Sequence, residues 1–156
     1  MQLAEALLIR ADQNKKILSL RARIAHNALA QEGDAPQEDV ATLLAECFAV
    51  IEQQRVLVQR INAANASARL PDGRLLAQVL GERDALAQRH AVMTQAVEAT
   101  RKDADRYSMR EIKWVPQLDV AATQKQIEDL ARQLRELNVR LQEANWQVSL
   151  PDLELL

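Results

Sequence analysis

The sequence predicts an all-α protein: long antiparallel helices in a helical bundle or coiled coil, with one short irregular or β-like insertion near residues 107–119. Three observations predict it. Apolar residues recur at helical spacing along most of the chain. They do so most strictly over Val120–Val148, where Val120, Ile127, Leu134, Leu141 and Val148 repeat every seven residues and Thr123, Leu130, Leu137 and Ala144 fill the alternate positions. That is the narrow seam of a helix packed lengthwise on another. Hydrophobic residues make up 48% of the 156 residues but aromatics only 3%, so the apolar mass is Ala, Leu, Val and Ile, which fill thin helix–helix interfaces. Finally, 3 Gly and 4 Pro leave few places to turn.

One helical domain, residues 1–156, is expected, with helices at about 3–31, 35–69, 74–105 and 120–145 and a tail at 146–156. In the first helix Ala4, Leu8, Ala11, Leu18, Ala22, Ala25 and Leu29 share one stripe, with Leu3, Leu7, Ile17 and Ile24 beside it. So wide an apolar face predicts more than one neighbour. Gly33 is read as its C-terminal stop, and Asp34 and Pro36 as the cap and first turn of the second helix. That helix carries Val40, Leu44, Cys47, Ile51, Val58, Ile61 and Ala68 at 3/4 spacing, interrupted by Gln54 and Asn65.

Leu70-Pro71-Asp72-Gly73 reads as a compact turn. The third helix has its seam at Leu76, Val79, Leu86, Met93 and Val97, with Arg83 and His90 in the same register. The insertion follows. Pro116 opposes a continuous helix, and Ile112 and Trp114 alternate with Glu111 and Lys113 as in a strand. Asp119 caps the fourth helix. Trp146, Val148 and Leu150 alternate in the same strand-like way, and Pro151 ends the stretch. The two strand-like stretches are natural partners, and an antiparallel dimer of fourth helices would bring Trp114 of one subunit to Trp146 of the other. The expected oligomer interface is therefore Ile127, Leu130, Leu134, Leu137, Leu141, Trp114 and Trp146.

Composition excludes several classes. A net charge of −2 with interspersed acids and bases gives no basic surface for nucleic acid. No apolar run approaches the ~18 residues of a membrane span, and the start, with an early Glu5 and no basic stretch, does not read as a signal peptide. The single Cys47 cannot form a disulfide within the chain, which fits the reducing cytoplasm. His26 and His90 lack the Glu-x-x-His context of di-iron bundles, and no zinc spacing, Walker loop, dinucleotide fingerprint or nucleophile elbow is present. No cofactor, metal or catalytic residue is expected. Gln54, Asn65, Arg83 and His90 form a candidate polar core that fixes register, or else lines a ligand pocket with Arg83 as anion anchor and His90 as proton carrier.

The stretches Leu3-Ala-Glu-Ala-Leu-Leu-Ile-Arg-Ala-Asp12, Arg60-Ile-Asn-Ala-Ala-Asn65, Arg69-Leu70, Asp72-Gly73, Arg106-Tyr-Ser, Glu111-Ile-Lys-Trp114, Leu118-Asp-Val-Ala and Glu143-Ala-Asn-Trp146 resemble a group of small bacterial proteins labelled septicolysin-like. The resemblance covers nearly the whole chain and implies a small helical protein. Its label implies cytolysis, but it carries no catalytic residue over. The function expected from the residues is a self-associating helical scaffold or protein-interaction protein without catalytic activity. The alternatives are a pore-forming or cytolytic protein, or an enzyme or small-ligand carrier with a site near 107–119.

Overall fold

The computed structural model describes residues 1–101 and 114–151. Among them are four helices: α1 (Leu3–Asn27), α2 (Val40–Ser67), α3 (Leu76–Ala99) and α4 (Val120–Gln147). The only β pairing among the described residues is two isolated antiparallel bridges, Gln2 with Ser149 and Arg69 with Leu75. The chain is all-α.

Each helix buries one heptad seam. In α1 it is Leu3, Arg10, Ile17 and Ile24 alternating with Ala6, Gln13, Leu20 and Asn27, none of them exposed. In α2 it is Val40, Cys47, Gln54, Ile61 and Ala68 alternating with Leu43, Val50, Leu57 and Ala64. The α3 seam is Leu76, Arg83, His90 and Val97 with Val79, Leu86 and Met93, and the α4 seam is the one set by Val120 and Thr123. Only part of the wide apolar face expected on α1 is packed: Leu3, Ala4, Leu7, Ile17 and Ile24 are buried or half-buried, whereas Leu8, Ala11, Leu18, Ala22, Ala25 and Leu29 are exposed. Leu44 and Ile51 of α2 likewise stand outside its seam and are exposed. Part of the α1 seam was hidden because Arg10, Gln13 and Asn27 occupy it.

The helix ends also differ from expectation. α1 stops at Asn27, four residues before the expected 31. The cause is the Asn27 side chain, which donates to the Arg23 carbonyl (2.9 Å) and accepts from the Glu38 N–H (3.1 Å), tying the helix end to the segment that enters α2. Gly33 is not the stop of α1. It takes a φ of 93° in a separate turn, where the Asp34 N–H donates to the Gln31 carbonyl at 3.0 Å. Asp39, not Asp34, caps α2: its carboxylate accepts from the Thr42 N–H (2.8 Å) and hydroxyl (2.6 Å). Pro36 lies in the connection. The Leu70–Gly73 turn closes with a 2.9 Å hydrogen bond from the Gly73 N–H to the Leu70 carbonyl, and Gly73 takes a φ of 87°. α3 ends at Ala99 rather than 105, and α4 runs to Gln147, with Asp119 accepting from the Ala122 N–H at 2.9 Å.

The chain forms two compact units, Met1–Leu75 with Glu143–Leu156, and Leu76–Gln142. In the first, α1 and α2 run antiparallel. Arg23 meets Glu38, Lys16 meets Glu46 at 2.8 Å, and Gln54 reaches Asn14 at 2.7 Å and the Arg10 carbonyl at 3.5 Å. Residues later in α1 thus meet residues earlier in α2. Leu20, Leu43, Cys47 and Val50 form the tightest cluster, with Ile17 and Ile24 against it. The C-terminal segment completes this unit. The Leu3 N–H donates to the Val148 carbonyl (2.8 Å), the Leu150 N–H to the Met1 carbonyl (3.0 Å), and Arg60 Nε to the Pro151 carbonyl (2.9 Å). The strand-like tail therefore finds its partner at its own N-terminus. The expected pairing with the insertion of another subunit is not needed to satisfy its backbone. Residues 102–113, and with them most of the insertion, lie outside the described residues.

Two leucines on α1 give a direct test of the seam. Leu20 is 1% exposed and Leu18 62%. Leu20→Ala should cost about 2–5 kcal/mol, whereas Leu18→Ala should stay within about 0.5 kcal/mol. Urea titration followed by circular dichroism measures both, and equal costs would refute the assignment.

Removing residues 148–156 should lower the melting temperature and speed amide exchange in the first turns of α1, because Leu3 loses its backbone partner and its cover. Unchanged exchange there would sink this account of the tail.

Acid should loosen the same unit. The Arg23 guanidinium holds the Glu38 carboxyl below its ordinary value, Lys16 does the same to Glu46, and the Thr42 hydroxyl to Asp39. A carboxyl so lowered contributes stability above its unfolded pKa of about 4 and loses it as the pH falls through the lowered folded value. The melting temperature should therefore drop from pH 5 to pH 3. The drop should be smaller in a Glu38→Gln/Glu46→Gln variant, and identical curves would contradict the assignment.

Candidate functional site

Two surfaces stand out, one in each unit. The first follows from the pairing of α1 and α2. In an antiparallel pair of helices, one flank of the seam is lined by matching positions of both helices and the other flank by a different matching set. Here one flank carries Lys16 and Arg23 of α1 against Glu46 and the Glu38 segment, and these ion pairs close it. The opposite flank carries Leu7, Asn14 and Arg21 of α1 beside Leu44 and Ile51 of α2, with Ala11, Leu18 and Ala25 of α1 and Phe48 of α2 further out and Leu8, Lys15 and Ala22 further still round α1. Leu8 is 61% exposed and Phe48, the only phenylalanine in the chain, 63%. Exposed Asn14, Lys15 and Arg21 of α1 and Arg55 of α2 stand among these side chains, so the apolar surface is large but interrupted; an exposed apolar surface of this kind is a candidate interaction site.

The second surface is a groove of about 650 Å³ lined by Ala85, Val92 and Met93 of α3, by Leu130 of α4, and by the polar groups of both helices. Val92 is exposed within it. Asp129 is engaged by Arg132 at 3.0 Å. Neither the groove nor the α1–α2 face brings a nucleophile to a base. Among the described residues no group of three or more His, Cys, Asp or Glu is placed to hold a metal ion.

The expected polar core is not one site. Gln54 and Asn65 lie in one unit, Arg83 and His90 in the other. Gln54 and Asn65 are eleven residues apart on one helix, about 16 Å, and Arg83 and His90 about 10 Å apart. Only Gln54 has a role visible in hydrogen bonds, to Asn14 and Arg10. Arg83 places Nε and Nη2 on Asp84 at 2.9 and 2.6 Å, so its charge is already matched and it makes a poor anion anchor. His90 is half-buried in the α3 seam.

The expected interface residues separate just as clearly. Ile127, Leu137 and Leu141 are buried within a single chain, and Leu130 and Leu134 are half-buried. Trp114, 73% exposed, and Trp146 keep most of their surface in solvent. The Leu8–Ala25 stripe was read in the sequence as part of one wide apolar face with more than one neighbour; within the chain it is exposed. The signal that would have separated it from the seam is the second, stricter repeat starting at Leu3, carried through its polar members.

No helix among the described residues is long and apolar enough to cross a membrane. A comparison with curated proteins gives no match. Among solved structures, the chain is similar to a functionally unknown conserved protein from Corynebacterium diphtheriae, at 33% identity and a TM-score of 0.88, over 97% of this chain and 99% of that one. The match covers nearly all of both chains, so the helical fold is shared. Over residues 10–150 the chain matches the model of a family of unknown function, DUF6847, and it belongs to that family.

Proposed function

We propose that the protein is a self-associating helical scaffold without catalytic activity, working in the cytoplasm through protein contacts. The observation that carries this reading is the number of large apolar side chains that α1 and α2 leave exposed, Leu8, Leu18 and Phe48 above all. Exposing side chains of this size to water is unfavourable by roughly 25 cal/mol per Å², and association is the direct way to recover that free energy. The two helices that carry the face are locked together by their own seam and by the tail, so the surface is preformed and ordering it costs little. The lone thiol, Cys47, is buried in the α2 seam, which suits a reducing compartment.

The test is the mass in solution. Light scattering at micromolar concentration should give a multiple of 17.5 kDa. A mass of one chain across the accessible range would overturn the scaffold reading. The pore-forming reading implied by the septicolysin-like resemblance expects dye release from liposomes, and the scaffold reading expects none. A co-purifying small molecule that raises the melting temperature would instead favour a carrier.

A further inference from the structure

We propose that the groove between α3 and α4 binds an amphipathic anion: an apolar chain that ends in a carboxylate, held by Arg89 and laid over Val92, Met93 and Leu130. The proposal goes beyond the scaffold reading and does not rest on it. The exposed side chains that carry that reading lie on α1 and α2, and a scaffold can also hold a reversibly bound ligand.

The site stands out when the two halves of the chain are compared, because the second half repeats the first. Leu3-Ala-Glu-Ala-Leu7 and Arg10 of α1 return as Leu76-Ala-Gln-Val-Leu80 and Arg83 of α3. Pro36-Gln-Glu-Asp-Val-Ala41 returns as Pro116-Gln-Leu-Asp-Val-Ala121. Arg60-Ile-Asn-Ala-Ala-Asn65 and Leu70-Pro-Asp72 return as Arg140-Leu-Gln-Glu-Ala-Asn145 and Leu150-Pro-Asp152. Hydrogen bonds repeat with the sequence. Asp39 and Asp119 cap the second helix of each half, accepting from the Thr42 and Ala122 N–H groups. The bridge of Arg69 with Leu75 corresponds to that of Ser149 with Gln2. The bond from the Leu70 N–H to the Arg74 carbonyl (2.9 Å) corresponds to that from the Leu150 N–H to the Met1 carbonyl (3.0 Å). The α1–α2 and α3–α4 pairs are thus two copies of one helical hairpin, in which Leu3 corresponds to Leu76 and Val40 to Val120.

Corresponding positions show what differs in the second copy. In the first, Lys16 and Glu46 close one flank of the seam at 2.8 Å, and Arg23 meets Glu38 further along. Lys16 corresponds to Arg89, Glu46 to Gln126, Arg23 to Ala96 and Glu38 to Leu118. Neither acid is kept. The first cation is kept, and Arg89 has no ion pair or hydrogen bond among the described residues. Asp12 and Ser19 correspond to Ala85 and Val92, so the surface beside Arg89 is also more apolar. A groove of about 650 Å³ lies where the first copy is bridged by an ion pair. Its one lining acid, Asp129, is already engaged by Arg132 at 3.0 Å.

These properties set the ligand class. The volume falls within the range of small-molecule pockets, whose walls are mostly apolar with a few polar groups that fix orientation. A guanidinium offers two parallel N–H donors that match a carboxylate. In open water such a pair contributes little. An apolar chain over Val92, Met93 and Leu130 adds the burial of its own surface and thins the water around the pair, which strengthens it. An amine gains no charge partner, because Asp129 is taken, and a neutral chain leaves Arg89 unused.

Isothermal titration of the full chain with decanoate, below its micelle range, tests the site. Decanoate should bind, and decylamine should bind at least tenfold more weakly. Arg89→Gln should weaken decanoate binding at least tenfold. Gln126→Glu restores the acid of the first copy, which engages Arg89 from within the chain, and should weaken it as much. Both positions are exposed, so helicity should be unchanged by circular dichroism. Lys16→Gln, at the corresponding position of the first copy, should leave decanoate binding as it is. In an NMR titration the amide signals of Val92, Met93 and Leu130 should shift. Absence of binding up to about 1 mM decanoate, equal affinity for decylamine, or undiminished binding by either groove variant would each overturn the proposal. Shifts confined to Leu8, Leu18 and Phe48 would overturn it too, since they would put the chain on the exposed apolar surface of α1 and α2. Charge-selective binding that both groove variants weaken, with shifts at the groove residues, supports it.

Discussion

Everything in this molecule depends on the thinness of its seams. A heptad seam of Leu, Ile, Val and Ala makes an interface one side chain deep. Each helix therefore hides a stripe two positions wide in every seven and leaves the rest of its circumference outside. With 48% hydrophobic residues, the chain has more apolar side chains than its seams can take in. The surplus appears as the exposed residues Leu8, Leu18, Phe48 and Val92. A protein with several aromatics could have drawn that surplus into a thicker core. Here the only phenylalanine, Phe48, sits on the outer face.

The polar members of the seams show how so uniform an interface keeps its register. Aliphatic seams can slip by a heptad at little cost. Gln54 prevents this in the α1–α2 pair, because its amide reaches the Asn14 side chain and the Arg10 carbonyl only in one alignment. Asn27 acts at the other end of the pair, accepting the Glu38 N–H and so fixing where the connection re-enters. Arg23 and Glu38 reinforce the same alignment from the surface. Exposed pairs of this kind add little to stability, and their contribution here is to say which alignment forms. The tail adds a third pin by bonding Val148 and Leu150 to the chain's start.

How much of this was legible in the sequence depends on how pure each seam is. The α4 seam is nearly unbroken and the α3 seam, though it includes the half-buried Arg83 and His90, has no rival apolar stripe on the same helix, so the residues that carry both were identified one by one. The Leu70–Gly73 turn was equally plain, because Pro and Gly leave the backbone few choices. The α1 seam was legible only in part, through Leu3, Ile17 and Ile24. Three of its eight positions are polar, and a purer apolar stripe runs along the outside of the same helix. Counting apolar residues favours the outer stripe; only the continuity of the heptad through Arg10, Gln13 and Asn27 favours the inner one. The end of α1 was missed for a related reason, since it is set by a side chain bonded to Glu38, eleven residues away, and no local stop signal reports that. Pairing of the tail with Met1 and Gln2 spans almost the entire chain, and nothing in strand-like alternation says where a strand finds its partner.

The outer stripe is informative in its own right. A surface helix has no packing reason to carry a second row of apolar residues, and solubility favours replacing them with charge. On α1 the charges are spread round the helix: Glu5 and Asp12 on the back, Lys16 and Arg23 on the ion-paired flank, and Lys15 and Arg21 among the exposed apolar side chains. Glu46 of α2 and Glu38, just before that helix, face the same flank as Lys16 and Arg23. The inter-helix ion pairs thus gather on one side of the pair, while the other side mixes exposed apolar side chains with Lys15, Arg21 and Arg55. In the α3–α4 groove there is no comparable sorting, since Gln88, Arg89, Gln126, Asp129 and Gln133 surround a small apolar floor. Of the two concave or apolar surfaces, the α1–α2 face is the one whose composition is hardest to account for in an isolated chain, and it is there that the physical argument for a partner is strongest.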